Sequence, residues 1–134
     1  VTYCDRDAGR AEEMARKYVA GYYLSVLEHY EFLDDYHRDT KGYESYAAAA
    51  DILKAAGKEQ SLEDYVDVQA YGTPQQILDK LEKRQKILGD FEWTVMASYA
   101  GMPFEDVEAS LRLLGKEVLP ELKSWGMEAT GRAA

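Results

Sequence analysis

The sequence is poor in the residues from which many binding sites are built. Its 134 residues include one cysteine, Cys4, together with two histidines and three prolines. A single cysteine excludes an internal disulfide and fits a reducing compartment, so we expect a cytoplasmic protein. One Asp-x-x-His spacing occurs, at Asp34 and His37 on a predicted loop, whereas di-iron bundles need two such helical spacings. We therefore predict no metal site.

Positive charge is also scarce. The chain has 16 Lys and Arg against 25 Asp and Glu, which gives a net charge of −9 and a pI near 4.7. This balance argues against nucleic acid or an anionic membrane surface as a partner. No apolar run approaches the length of a membrane span, and no signal peptide is present. The hydrophobic content of 46% is that of a folded globular domain.

The middle of the chain predicts a strand, a turn and a capped helix. Apolar and polar residues alternate over residues 66–70, which is strand periodicity. Thr73 can cap the helix that follows, with Pro74 at the first helical position and Gln76 closing a capping box. Gly89 is suited to end this helix.

The rest of the chain predicts two more strands and three more helices. The strands are residues 1–4 and 91–97. The first helix runs from about residue 8 to the low thirties, and the second covers residues 43–56 and stops at Gly57. The last helix runs from Pro103 to Trp125, with a kink at Pro120. A short helical turn is predicted at residues 61–64. The order β-α-α-β-α-β-α favours parallel strands with right-handed crossovers.

Helical spacing also predicts which faces are buried. For the first helix these residues are Ala11, Met14, Ala15, Tyr18, Tyr22, Ser25, Val26, His29 and Leu33. For the last helix they are Phe104, Val107, Leu111, Leu114, Val118 and Leu122. We expect His29 to be a hydrogen-bonded core histidine.

An ordered set of segments resembles the C-terminal part of luciferase-like flavin-dependent monooxygenases. The segments are 71–76 (YGTPQQ), 80–89, 91–93 (FEW), 99–105 (YAGMPFE) and 117–120 (EVLP), with 28–32 (EHYEF) and 41–46 (KGYESY) similar to one branch of the family. The resemblance covers nearly the whole chain, to about Trp125.

The resemblance implies an α/β fold, namely an incomplete (βα)8 TIM barrel. The chain would supply about the last three βα units, with residues 28–64 as a helical insertion and 127–134 as a flexible tail. A closed barrel needs about 200 residues or more, so 134 residues cannot close one. The opening of the chain at Val1, directly in an apparent strand, also leads us to expect a piece of a longer chain.

The resemblance further implies chemistry. Complete members bind reduced FMN, or a deazaflavin in some branches, and use O2 to oxidise a small organic substrate. Because much of the flavin-phosphate site comes from earlier strands, we expect this chain alone to bind no cofactor and to have no complete active site.

Candidate site residues lie where the predicted strands end, since the carboxyl edge of a parallel barrel carries the chemistry. They are Cys4, Tyr71, Gly72, Ser98, Tyr99 and Gly101. Tyr99 is the best candidate for contact with flavin or substrate, through its phenol or as an apolar wall. The two glycines are equally explained by turn geometry, and Cys4 by a small buried hydrophobic side chain.

The alternative function is a non-catalytic α/β protein-interaction module. Three parallel strands without closing partners would leave unpaired edges and an apolar face around Phe91, Trp93 and Val95. We therefore expect a homo-oligomer.

Overall fold

The computed structural model describes residues 1–33 and 36–130, which form a helix-rich α/β domain. Two strands are present within these ranges, β1 (Thr2–Cys4) and β2 (Ala70–Gly72). The helices are α1 (Ala8–Met14), α2 (Ala20–His29), α3 (Glu44–Ala56), α4 (Lys58–Asp67), α5 (Pro74–Leu88), α6 (Phe104–Leu113) and α7 (Leu119–Thr130). One π-helical turn (Ala15–Val19) joins α1 to α2, another (Leu114–Val118) joins α6 to α7, and a 3-10 turn spans Tyr36–Asp39.

The two strands pair in parallel, with Thr2 opposite Ala70 and Cys4 opposite Gly72. The prediction of β1 is confirmed, and a second strand forms before α5 as predicted, but it spans Ala70–Gly72 rather than residues 66–70. Residues up to Asp67 belong to α4, and the predicted turn at 61–64 is part of the same helix. Leu62, Tyr65 and Val66 have helical spacing and pack inward, so burial of this face outweighs the local alternation.

The predicted strand at residues 91–97 is also absent. This segment has no regular secondary structure, and its recorded backbone hydrogen bond to the sheet joins Thr2 N to Met96 O at 3.0 Å. The segment therefore follows the edge of β1 that faces away from β2. In a barrel, successive strands are neighbours, which would place this segment beside β2. The incomplete barrel is thus not confirmed, whereas the parallel α/β character is.

The small sheet is covered on both faces. On the face of Tyr3, a cluster of buried residues comes from α1, the first π turn, α4 and α6. On the face of Cys4 and Ala70, the buried residues Ile77, Leu81, Leu114 and Val118 come from α5 and the last helices. Because strand side chains alternate between faces, two short strands can anchor both layers.

The first π turn changes which residues of the long helix are buried. Ala11, Met14, Ala15 and Tyr18 are buried as predicted, but Ser25, His29 and Leu33 are exposed and Leu27 is buried instead. A π turn adds a residue to one turn, so the inward stripe advances by about one position beyond it. The prediction of His29 as a core residue is therefore wrong, and its ring packs edge-on against Tyr30.

Helix α5 forms as the sequence predicts. The Thr73 side chain accepts a hydrogen bond from Gln76 N, the Gln76 side chain accepts one from Thr73 N at 2.8 Å, and Pro74 follows the cap. The helix ends before Gly89, whose φ is +74°. Helix α3 likewise stops at Gly57.

The last helix keeps part of its predicted face but not its predicted end. Val107, Leu114 and Val118 are buried as predicted, whereas Phe104 is 72% exposed and Leu111 46%, and Ser110 is also buried. The second π turn ends two residues before Pro120. A π turn is one of the irregularities found where a helix contains a proline, and it lies next to the position predicted for a kink. The helix does not end at Trp125 but runs to Thr130. Residues 131–134 of the predicted tail lie outside the described residues.

Helices α3 and α4 make up the regular part of the predicted insertion. Helix α4 packs on α2, where the rings of Tyr23 and Tyr65 stack with centroids 4.3 Å apart. Arg16 in the first π turn pairs with Glu63 of α4 at 2.5 Å. None of the helices in the described ranges combines the length and apolar content that a bilayer crossing requires.

Candidate functional site

The two strands bring their carboxyl ends together at one edge of the sheet. Cys4 lies opposite Gly72, and the next residue, Asp5, donates its backbone N–H to the Gly72 carbonyl at 3.1 Å. Ligands of parallel α/β proteins bind in the crevice outside this edge. This edge is therefore the place where a ligand would be expected.

Side chains replace a third strand along the outer edge of β1. The Cys4 N–H donates to Ser110 Oγ at 2.9 Å, and the Tyr99 hydroxyl donates to the Thr2 carbonyl at 3.2 Å. With the bond from Thr2 N to Met96 O, these contacts satisfy backbone groups that a lone strand would leave unpaired. Ser110 was missed by the sequence analysis, because a serine in an apolar helical face gives no indication of a partner so distant in sequence.

Cys4 is a buried thiol, 2% exposed. Burial is the main cause that raises its pKa to about 12, and the carboxylates of Asp5 and Glu117 act in the same direction. The thiol is therefore neutral at physiological pH, which does not suit a nucleophile. Its surroundings fit the structural explanation given for it above.

Tyr99 is buried, and its hydroxyl is occupied by the Thr2 carbonyl. Burial raises the pKa of the phenol, with a smaller contribution from Tyr3. Its ring contacts Tyr22 edge-on, with centroids 6.2 Å apart. Tyr99, which we most expected to contact a ligand, therefore links β1 to the loop that follows residues 91–97.

Tyr71 is half-buried under Lys80. The Lys80 ammonium lies 3.7 Å from the ring centroid and donates to the Gln69 carbonyl at 3.0 Å. Burial lowers the pKa of Lys80 and raises that of Tyr71. Arg84 donates to the Val68 carbonyl nearby. The two cations therefore cap the C-terminus of α4, where the helix dipole is negative.

The two candidate glycines differ. Gly72 has φ of +137°, and a Cβ there would lie 2.8 Å from Gln76 Cβ, so both conformation and space require glycine. Gly101 has φ of +70° in a tight turn closed by Met102 N and Tyr99 O, where a Cβ would meet nothing. Ser98 and Gly101 are both exposed. Turn geometry accounts for both glycines.

Asp5 is the centre of an ionic network just beyond β1. Its carboxylate accepts hydrogen bonds from Asp7 N at 3.0 Å, from Arg10 Nε at 3.0 Å and from the Tyr3 hydroxyl at 3.2 Å. Arg10 also pairs with Asp106 at 2.5 Å. The Asp5 charge is therefore compensated before any ligand is considered.

A cleft of about 350 Å3 opens beside this network, between the start of the loop after β1 and the end of α6. We call it the edge cleft. It is lined by Cys4, Asp5, Arg6, Ala109, Arg112, Leu113 and Lys116. Of the six candidate site residues, only Cys4 lines the edge cleft.

A larger groove of about 720 Å3 lies between α5 and the last helices, lined by Asp79, Glu82, Glu121 and Trp125 among others. Its walls are outer faces of helices, and its acidic side chains have partners such as Gln75 for Asp79 and Lys86 for Glu82. Among the residues whose structure is described, no three His, Cys, Asp or Glu side chains are grouped to hold a metal ion. Asp34, part of the one metal spacing considered, lies outside the described residues.

Of the six candidate residues, Cys4 lines the edge cleft, and none of the six lines the larger groove. Cys4, Tyr99 and Gly72 are buried and have structural roles, Tyr71 is covered by Lys80, and Ser98 and Gly101 are exposed. No protein-family model, curated protein or solved structure matches the chain.

Proposed function

We propose that the chain is the C-terminal part of a flavin-dependent monooxygenase of the luciferase-like family. In the complete enzyme, a small organic substrate is oxidised with O2 and reduced flavin, either FMN or a deazaflavin. One structural observation supports this most: two parallel strands, each followed by a helix, meet with their carboxyl ends at Asp5 and Gly72. Such units build the barrel of that family, and barrel enzymes react at this edge.

The incomplete (βα)8 barrel is part of the same proposal. In the proposal, residues 91–97 leave the outer edge of β1, where they lie in this structure, and form the third strand beside β2 when the rest of the barrel is present. Their exposed apolar side chains favour this, since Phe91, Val95 and Met96 are each 37% exposed. Large apolar side chains that remain in water mark surfaces that another part of a protein covers. The proposal also places the enzyme in the cytoplasm, where a free thiol such as Cys4 stays reduced.

We propose that this chain alone is inactive. A reduced flavin supplies the electrons that activate O2 in the complete enzyme. In the proposal, residues outside this chain hold most of the cofactor, and the carboxyl edge of β1 and β2 completes the wall of the site.

A second function is favoured by the exposed apolar residues near the end of α5. Ile87 is 82% exposed and Leu88 67%, next to the apolar segment that starts at Phe91. A non-catalytic α/β module that self-associates through this surface would have the same feature. Sedimentation of the purified chain tests self-association: a monomer at all concentrations counts against the module, whereas concentration-dependent dimers are expected of the module and of an isolated barrel fragment alike. A flavin titration separates the two functions.

Oxygen consumption by the complete translation product of the encoding gene tests the enzymatic proposal. We expect a reading frame long enough for a full barrel, and O2 uptake when a flavin reductase supplies reduced FMN or deazaflavin together with candidate substrates. The isolated chain is the matched control and should show only the uptake of free reduced flavin. A reading frame that ends with this segment alone, or a complete product without flavin, would contradict the proposal.

A further inference from the structure

Four aromatic side chains gather at the surface where the end of α2 meets the start of α3. We call them the aromatic surface. Successive ring centroids are 5.8, 5.5 and 5.4 Å apart in the order Tyr30, Phe32, Tyr46 and Tyr43. Tyr30 is 56% exposed, Tyr43 45% and Tyr46 42%, while Phe32 is half-buried between them. Large rings that stay in water at this density mark a surface that a binding partner covers.

A cavity of about 200 Å3 adjoins the aromatic surface at the end of α2. It is lined by Leu24, Leu27, Glu28, Glu31, Leu33 and Lys58. Glu31 lies between Tyr30 and Phe32 in the sequence, which joins the cavity to the rings. Neither glutamate forms an ion pair with Lys58 or with another cation of the described residues. The cavity therefore combines leucine walls with two carboxylates that are not neutralised by direct contact.

The segment that carries the aromatic surface is acidic. Residues 28–46 include six Asp and Glu against two Lys and Arg. Of these two cations, Arg38 is paired with Asp51 of α3, which leaves Lys41. Because the whole chain also has a net charge of −9, this surface repels an anionic partner and attracts a cationic one.

Arginine is the cation that matches both the rings and the cavity. Its planar guanidinium stacks on aromatic faces and donates two hydrogen bonds to carboxylates, whereas a lysine ammonium acts as a point charge. Its apolar stem can lie along leucine side chains while the charged head stays at a carboxylate. One arginine thus fits the cavity with its head at Glu28 and Glu31, and a second stacks on the exposed rings. Two adjoining subsites favour a peptide segment over a single small cation.

From this geometry we infer that the aromatic surface and its cavity bind a basic, arginine-containing segment of a partner protein. Tyrosine, phenylalanine and arginine are the residues that protein interfaces use most for such anchoring contacts. The inference uses neither the carboxyl edge of the sheet nor a flavin, so it does not rest on the proposed function.

Isothermal titration calorimetry with a blocked peptide of Arg-Gly-Ser repeats tests this inference at low ionic strength. Two matched peptides carry lysine, which keeps the charge, or citrulline, which keeps the planar head without the charge. We expect saturable binding of the arginine peptide and a Kd about two- to fivefold higher for the lysine peptide, the effect of stacking at an exposed ring. The citrulline peptide should show no measurable binding.

Variants with matched controls assign the binding to this surface. Tyr46→Leu keeps an apolar side chain without the ring and should raise the Kd of the arginine peptide about two- to fivefold. Phe104→Leu is its control, because Phe104 is exposed on α6. Glu31→Gln should raise the Kd by a similar factor, about two- to fivefold. Glu105→Gln, an exposed position on α6, makes the same change in net charge and should leave the Kd unchanged.

Three results would overturn the inference: no saturable binding, equal Kd values for the arginine and lysine peptides, or ring and carboxylate variants that behave like their controls. Far-UV circular dichroism checks that each variant is folded. If Tyr46→Leu unfolds, Tyr30→Leu repeats the test at the most exposed ring of the aromatic surface. Failure of flavin binding by the complete product changes none of these readouts.

Discussion

Ser110 is 106 residues away from Cys4 in sequence, yet its hydroxyl accepts the Cys4 N–H in a buried contact. The variant Ser110→Ala leaves that N–H unpaired inside the protein. We expect it to lower the free energy of unfolding by about 1–3 kcal/mol, measured by urea denaturation. Ser124→Ala is the control, because Ser124 is exposed on α7, and its effect should stay within about 0.5 kcal/mol. Equal effects would show that Ser110 does not support β1.

Gly72 and Gly115 form a second matched pair. Alanine at Gly72 meets both a φ of +137° and Gln76 Cβ at 2.8 Å, whereas alanine at Gly115 meets nothing. We expect Gly72→Ala to destabilise the chain by about 1–3 kcal/mol. Gly115→Ala, in a helical position, should stabilise it by about 0.5–1 kcal/mol. Thermal unfolding of both variants measures these effects. If Gly72→Ala does not lower the stability, turn geometry does not explain the glycine, and a role in ligand contact becomes the better explanation.

Cys4 predicts how stability depends on pH. Its pKa is about 12 in the folded chain against 9.0 for a free thiol. Above pH 9.0 the unfolded chain therefore loses this proton first, and the free energy of unfolding falls as pH rises, by at most about 1.4 kcal/mol per pH unit. The measurement compares the chain with Cys4→Ala between pH 8 and 10.5. Parallel pH profiles for the two would contradict the burial of the thiol.

At the scale of elements, the features predicted best are those set by local chemistry. The capping box of α5 and the stop of α3 at Gly57 depend on residues close in sequence. The strand at residues 66–70 failed because Val66 and Val68 alternate at the end of an amphipathic helix, where a short window fits both periods. The π turns could not be predicted, since a 3.6-residue pattern assumes that no residue is inserted.

The cap of α5 allows a direct test at this scale. Thr73→Ala removes the acceptor for Gln76 N and should lower the free energy of unfolding by about 1 kcal/mol. Thr73→Ser keeps the hydroxyl and should retain most of the stability. Urea denaturation compares the two variants. If both lose the same amount, the hydroxyl is not what stabilises the start of the helix.

At the scale of the whole molecule, the sequence predicted the parallel α/β class but not the arrangement around it. Residues 91–97 have strand alternation, yet a strand forms only where a partner supplies a ladder of hydrogen bonds. Here the recorded backbone bond to β1 is a single one, from Thr2 N to Met96 O. The candidate site shows the same limit. The carboxyl ends of β1 and β2 were predicted, but the third predicted strand, before Ser98, does not form. Arg112 and Lys116 line the edge cleft with Arg6 through long-range packing, which no local pattern indicates.

FMN binding tests the central claim, that this chain is the C-terminal part of a flavin enzyme and incomplete alone. The measurement is the quenching of FMN fluorescence by the isolated chain and by the complete translation product, in parallel. The account predicts saturable quenching by the complete product and none by the chain. Equally tight binding by the chain alone, or a complete product that binds neither FMN nor a deazaflavin in the same assay, would contradict it.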